Sequence, residues 1–199
     1  MEHIGTSLLS LGIIIYFIKD QFSFSAVTKV RFLFLPLFCL YQFVSKIDTM
    51  DLNGFIYFVA LFIISALIGV YQGKDFMTKS YLRKGSFTID DDGKRHHLYR
   101  ERLFSKGGNS YLIGWIIMFV ITLLVETNFH IHFNLLLLLK ELLLEIMKDL
   151  TIWLRVTDKT SNWQIWEILG VSNIVYLIRI RMKSPKLNNY FKNDLEEID

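Results

Sequence analysis

Cysteine is almost absent from this 199-residue chain: Cys39 stands alone, inside an apolar run. A single thiol excludes an intramolecular disulfide, a CxxC redox pair, haem attachment through CxxCH and a cysteine-rich zinc site. Cys39 itself reads as a small buried hydrophobe. Proline is nearly as scarce, at Pro36 and Pro185 only. No HExxH pair is present, so intramembrane metalloproteolysis lacks its ligands, and Gly107-Gly108 has no phosphate-loop lysine beside it. Basic residues are also missing ahead of the first apolar run. The stretch MEHIGTSLLSLGIIIYFIKDQF reaches its first, Lys19, only after that run. A secretory signal peptide carries positive charge before its apolar centre, so this stretch reads as a retained helix.

What the chain does have is apolar length. Apolar residues make up 52% and aromatics 15%. They come in blocks of about 15–20 residues, as crossing ~30 Å of hydrocarbon requires. Five blocks predict spans at about 4–18, 30–45, 54–72, 110–125 and 163–180. Pro36 predicts a kink in the second. In the third, Ser65, Ala66 and Gly69 form a small-residue face that lets a neighbouring helix approach closely. Pro185 is expected to close the last.

Between the third and fourth blocks lies a polar insert, 73–108, with nine of the 22 Lys and Arg residues. Ser86–Asp90 alternates in the manner of a strand. Asp92-Gly93 is a two-residue hairpin signal, and Lys94–Leu103 reads as the return strand. Tyr81-Leu82 is a candidate third strand. A further segment, 134–156, is apolar but carries Lys140, Glu141, Glu145, Lys148 and Asp149. At 100° per residue these five charges share one half of the circumference, and leucines fill the other. Each charge held mid-bilayer would cost roughly 2.5–3.5 kcal/mol, so this segment is expected to lie in the membrane interface.

The fold class that follows is an all-α integral membrane protein. It has five transmembrane helices, one interfacial amphipathic helix and a small cytoplasmic β-hairpin insert between helices 3 and 4, in a single membrane domain. The basic residues set its orientation. With five spans, 17 of the 22 fall on the side of the insert and five on the other, which places the N-terminus outside and the C-terminus in the cytoplasm. The same clustering points to the lipid bilayer and a membrane protein as partners, and away from nucleic acid.

The order of elements resembles the CcdC-like bacterial membrane proteins. The likeness is carried by Ala66-Leu67-Ile68-Gly69 with Gly73, by Phe87–Gly93 followed by Tyr99-Arg100, and by Tyr176–Lys183 (YLIRIRMK). It covers most of the chain, chiefly as architecture, with 134–156 as an insertion. It implies an accessory role beside cytochrome c maturation, and brings no catalytic residues with it.

Four sets of residues could carry chemistry. Glu167 and Asn173, with Ser65, are polar positions within apolar spans, where such residues face a bundle interior and mark packing contacts or pathways. Glu167 is expected to reach the outer interface, and Asn173 to form an interhelical hydrogen bond. Glu126, His130 and His132 (ETNFHIH), completed by Glu167, could hold a divalent cation, against a plainer reading as wet interface residues. His96-His97 read as part of an exposed return strand. Lys94, Arg95, Arg100 and Arg102 are positioned for anionic lipid or an acidic partner, or are simply solvated charges that set topology. No cofactor is expected. The sequence therefore predicts a non-catalytic membrane accessory protein. The alternatives are a substrate-binding subunit of a transporter or peptide-resistance protein, and a metal-dependent membrane protein.

Overall fold

The computed structural model describes residues 12, 14–47, 52–89, 95–127 and 162–196. The segment 134–156, the hairpin turn Asp92-Gly93, and Lys94, His130 and His132 lie outside them. Among the described residues, the long apolar runs form helices where the sequence predicts them. Residues 14–22 form α1, followed by α2 (Lys29–Lys46), α3 (Leu52–Gln72) and α4 (Asn109–Glu126). The next described helix is α5 (Trp163–Lys183). Two of these, α3 and α4, are long and apolar enough to cross a membrane; α2 has a shorter apolar run, Phe32–Lys46. α2 continues through Pro36 without interruption.

Two boundaries differ from expectation, each for a local reason. α1 runs to residue 22, past its expected end at Ile18, because Lys19, Asp20 and Gln21 stay helical up to Ser23. Pro185 does not open an irregular tail. It is the first residue of a further helix, α6 (Pro185–Glu196). A proline suits that position because its missing N–H would have had no helical partner. Ser184 precedes it as an N-cap, its Oγ accepting from the Leu187 N–H at 3.3 Å.

The insert forms two strands, β2 (Met77–Ile89) and β3 (Arg95–Lys106). They are antiparallel, with a register irregularity between Lys84 and Phe87. Both are longer than the sequence predicts. Tyr81-Leu82 belongs to β2 and makes no strand of its own. The third strand is β1 (Ser25–Ala26), which joins the sheet in the order β1-β3-β2. Ser25 pairs with Ser105 and Ala26 with Phe104, and the Val27 N–H reaches the Leu103 carbonyl at 2.9 Å. The connection between the first two helices is thereby stitched to the insert.

Two apolar cores result. One fills the helix bundle with Cys39, Leu61, Trp115, Met118, Trp166 and Ile168 among others. The other lies under the sheet, where Phe76 and Leu103 meet Tyr176 and Ile180 of α5 and Leu187 and Phe191 of α6. α5 passes through both cores and is a common neighbour of α2, α3 and α4. The C-terminal ends of α1, α3 and α5 and the N-terminal ends of α2 and α4 gather at the sheet. There Gly108 N–H donates to the Gln21 carbonyl at 3.1 Å, and the Ser110 hydroxyl to that of Gln72 at 3.3 Å.

One polar clasp fixes the insert to the bundle. Asp75 Oδ2 accepts from the Ser110 N–H at 3.0 Å, and the Asp75 N–H donates to Ser110 Oγ at 2.9 Å. Gly108, the residue before α4, has φ +80° and offers no side-chain cap, so Asp75 supplies an acceptor to the helix's first turn from 35 residues away. Asp75→Ala is expected to cost about 1–2 kcal/mol. Ser110→Ala on top of it should cost less than Ser110→Ala alone, because each side chain holds the other's backbone N–H in one clasp, while the Ser110 hydroxyl's bond to Gln72 is lost in either background. Thermal unfolding of the single and double variants in detergent measures this, and full additivity would contradict the clasp.

Candidate functional site

α3 and α5 lie closer together than side chains normally allow. A Cβ at Gly69 would stand 2.5 Å from the Ser172 carbonyl oxygen and 2.9 Å from Val175 Cβ, and one at Gly73 would stand 2.6 Å from Arg179 Cγ. The small-residue face read from the sequence is this contact. Leu61, Ser65, Ile68, Gly69 and Gln72 are buried at helical spacing, with Gln72 turned toward Gly114 of α4, whereas Phe62, Ile63, Leu67 and Val70 point outward. The order of contacts makes the two helices parallel.

On α4, the Ser172 hydroxyl meets Met118 Sδ at 2.8 Å, and Thr122 Oγ1 bonds back to the Met118 carbonyl at 2.8 Å. Ser172 is thus the residue that joins α5 to α4 through a polar contact. Asn173, for which the sequence suggested that role, turns its amide to the Leu169 carbonyl of its own helix at 2.7 Å. Ser172 shows no sequence signal beyond being polar within an apolar run.

Glu167 is 2% exposed, so its side chain is enclosed and does not reach the molecular surface. Neither carboxylate oxygen has a hydrogen-bond partner among the described residues, and the same holds for Ser65 Oγ and Trp166 Nε1. A buried orphan of this kind is costly, and most such groups in proteins find a partner or serve a purpose. Trp166, its neighbour in sequence, packs on Phe38 of α2 at 5.9 Å, with the Lys46 ammonium 5.8 Å from a Trp166 ring centre. Glu167 therefore sits in the half of the bundle away from the sheet.

Asn173 occupies different surroundings. It lines a cavity of about 320 Å³, with Gln21, Pro36, Phe76, Trp115 and Tyr176 also in the wall. Phe32 is in that wall too, and its carbonyl loses its helical partner because Pro36 has no N–H. Ser65 and Glu167 are not among the lining residues. The three polar positions grouped by the sequence are thus divided between a closed interior and a cavity near the sheet.

The other candidates are described in part. Glu126 is half-buried at the end of α4, while its proposed co-ligands His130 and His132 lie outside the described residues. Among the described residues no three His, Cys, Asp or Glu groups come together as a metal-binding set. His96 and His97 pair in the ladder with Thr88 and Phe87, Arg95 with Ile89, and Arg100 with Arg83. Arg102 is exposed opposite Tyr81. Sequence reasoning missed Asp75, whose role appears only when a distant helix end is placed beside it. Compared with protein-family models, curated proteins and solved structures, the chain matches none.

Proposed function

We propose that this chain is a membrane protein of five spans, N-terminus outside and C-terminus cytoplasmic, that works by binding another membrane component and not by catalysis. One observation carries the reading. α3, the most apolar helix, has only 22% of its membrane-length window buried inside the molecule. Phe55, Ile56, Tyr57, Phe62, Ile63 and Leu67 all face outward. Water would penalise so large an apolar surface, and hydrocarbon would not.

α5 shows the complementary pattern. It carries Glu167, Ser172 and Asn173 and falls short of membrane-length apolarity, yet it is the helix most enclosed by its neighbours. A span shielded from lipid can hold polar groups that an exposed span cannot. The outward faces of α2 and α3 supply the surface for a partner's helices, and the CcdC-like resemblance implies an accessory role. The interfacial helix at 134–156 belongs to the same proposal.

Topology is tested with single cysteines in a Cys39→Ala background. Ser45→Cys, near the end of α2 away from the sheet, is expected to react with a membrane-impermeant maleimide in intact cells. Lys192→Cys should react only after the membrane is opened. The opposite pattern overturns the orientation, and equal labelling of both in intact cells overturns the spanning arrangement. Partner binding is tested by purification of the tagged chain from native membranes in mild detergent, followed by mass spectrometry. A stoichiometric membrane protein is expected, and recovery of the chain alone would overturn the accessory role.

A second reading, a substrate-binding membrane subunit, is favoured by the cavity that holds Asn173. Ligand-dependent protection of a cysteine placed at Gln21 would raise it above the first.

A further inference from the structure

The cavity that holds Asn173 is walled by aromatic rings in continuous contact. Between ring centres, Phe76 lies 6.2 Å from Tyr176, Tyr176 5.0 Å from Tyr111, Tyr111 6.3 Å from Trp115, and Trp115 5.4 Å from Phe17. All five line the same space of about 320 Å³, the lower end of what small-ligand pockets enclose. Three elements each set one polar side chain into this wall: Gln21 near the end of α1, Ser105 on β3 and Asn173 on α5. Each of the three is more than nine-tenths buried. Their hydrogen-bonding capacity is largely open. Among the described residues, the Gln21 amide and the Ser105 hydroxyl have no partner, and neither is sealed off by neighbouring atoms. Asn173 commits Nδ2 to the Leu169 carbonyl at 2.7 Å, which leaves Oδ1 without a donor. Gly107, also in the wall, gives the glutamine room, since a Cβ there would stand 2.9 Å from Gln21 Oε1. Asp20, the only charged residue among the described lining residues, already has a partner.

These surroundings define a ligand. A charged molecule would find no unpaired counter-charge in the wall. A wholly apolar one would strip water from three polar groups without replacing it. An uncharged flat ring meets both demands, because its faces pack on the aromatic wall and its edge exchanges hydrogen bonds. Asn173 Oδ1 requires a donor on that edge, while the Ser105 hydroxyl and Gln21 Nε2 offer donors to an acceptor. We propose that this cavity binds one small uncharged aromatic molecule that carries both a carbonyl acceptor and an N–H or O–H donor, held by Gln21, Ser105 and Asn173. Its mouth lies at Phe34 on the outward side of α2, the only exposed residue among the described lining residues. The inference gives a ligand class to the second reading above, a substrate-binding membrane subunit, and rests on that reading.

The test follows alkylation by a maleimide of a cysteine placed in the wall, Leu177→Cys, in a Cys39→Ala background of the full chain in mild detergent. The probes are 2-quinolinone, with a ring N–H and a carbonyl; its N-methyl derivative, without the donor; naphthalene, with neither; and 2-naphthoate, an anion. 2-Quinolinone is expected to slow alkylation at the lowest concentration. The N-methyl derivative should need about five-fold more, as one hydrogen bond is lost. Asn173→Leu should abolish that difference, because it removes the acceptor that the N–H meets. Ser105→Ala, the milder change, should raise the half-protecting concentration of 2-quinolinone about five-fold and leave that of naphthalene unchanged. A preference for 2-quinolinone that both variants leave intact overturns the assigned residues. Protection by naphthalene or 2-naphthoate at an equal or lower concentration overturns the ligand class and leaves the cavity as a substrate site. Protection by none of the probes, with the cysteine reactive, also overturns the ligand class alone. A folded Leu177→Cys chain that the maleimide cannot reach has a closed interior there, and overturns the substrate-binding reading itself.

Discussion

Gly69→Ala is expected to destabilise the protein by about 3 kcal/mol, at the upper end of what overpacking usually costs. The added methyl group would have to occupy a point 2.5 Å from the Ser172 carbonyl oxygen. That neighbour is backbone in the middle of a helix, so it cannot turn aside as a flexible side chain would. Relief requires α3 and α5 to separate, which loosens the close approach of Gly73 to Arg179 as well. Two further glycines calibrate the result. At Gly170 an added Cβ would lie an ordinary 3.4 Å from Cys39 Cβ, and at Gly12 it would meet nothing within 4 Å. Gly170→Ala should be neutral or mildly stabilising, because alanine favours the helix by up to about 1 kcal/mol over glycine. Thermal unfolding in detergent, followed by tryptophan fluorescence, should rank the three in that order. A wild-type midpoint for Gly69→Ala would show that the two helices do not approach as described.

Glu167→Met should move stability the other way, by about 1–3 kcal/mol. Methionine is close to glutamate in length and supplies an apolar filling for a site where both carboxylate oxygens lack partners. Replacing a buried, unsatisfied polar group with a hydrophobe of similar shape removes its desolvation penalty without opening a cavity. Glu167→Gln keeps polar atoms in the same place and should gain much less. The informative comparison is between stability and partner capture. A stabilised Glu167→Met variant that no longer captures its partner would mean that the carboxyl is retained for work, at a cost in stability. Loss of stability in Glu167→Met would mean that the carboxyl has a favourable interaction within the bundle.

The helices were the legible part of this sequence. Apolar blocks set them, and α2, α3 and α4 begin and end within two residues of the expected bounds. The insert was legible as β structure for the same reason, through alternation at Ser86–Asp90. The short strand Ser25–Ala26 was not, because two residues carry no periodicity and become a strand only through pairing with β3. α6 was hidden by an ambiguity of proline. Coming after a helix it signals a stop, and following a serine it equally signals a start. At the candidate site, polarity within a span marked Glu167 and Asn173. What separates them, an enclosed carboxyl in one case and a cavity wall in the other, depends on which neighbours surround each face of α5. That information is distributed over α2, α3 and α4.

The central place of α5 also bears on the order in which the molecule can be built. Chain synthesis delivers α1 to α4 and the sheet strands before α5 exists, and until then α2 lacks the helix against which Cys39 and Phe38 pack. α3 meanwhile shows its glycine face to lipid or to whatever lies nearby. The interior of the bundle is completed only when the last long helix arrives. α6, emerging after it, then closes the space beneath the sheet with Leu187 and Phe191. Release of a nascent chain before α5 would leave α2, α3 and α4 without the helix that is their common neighbour.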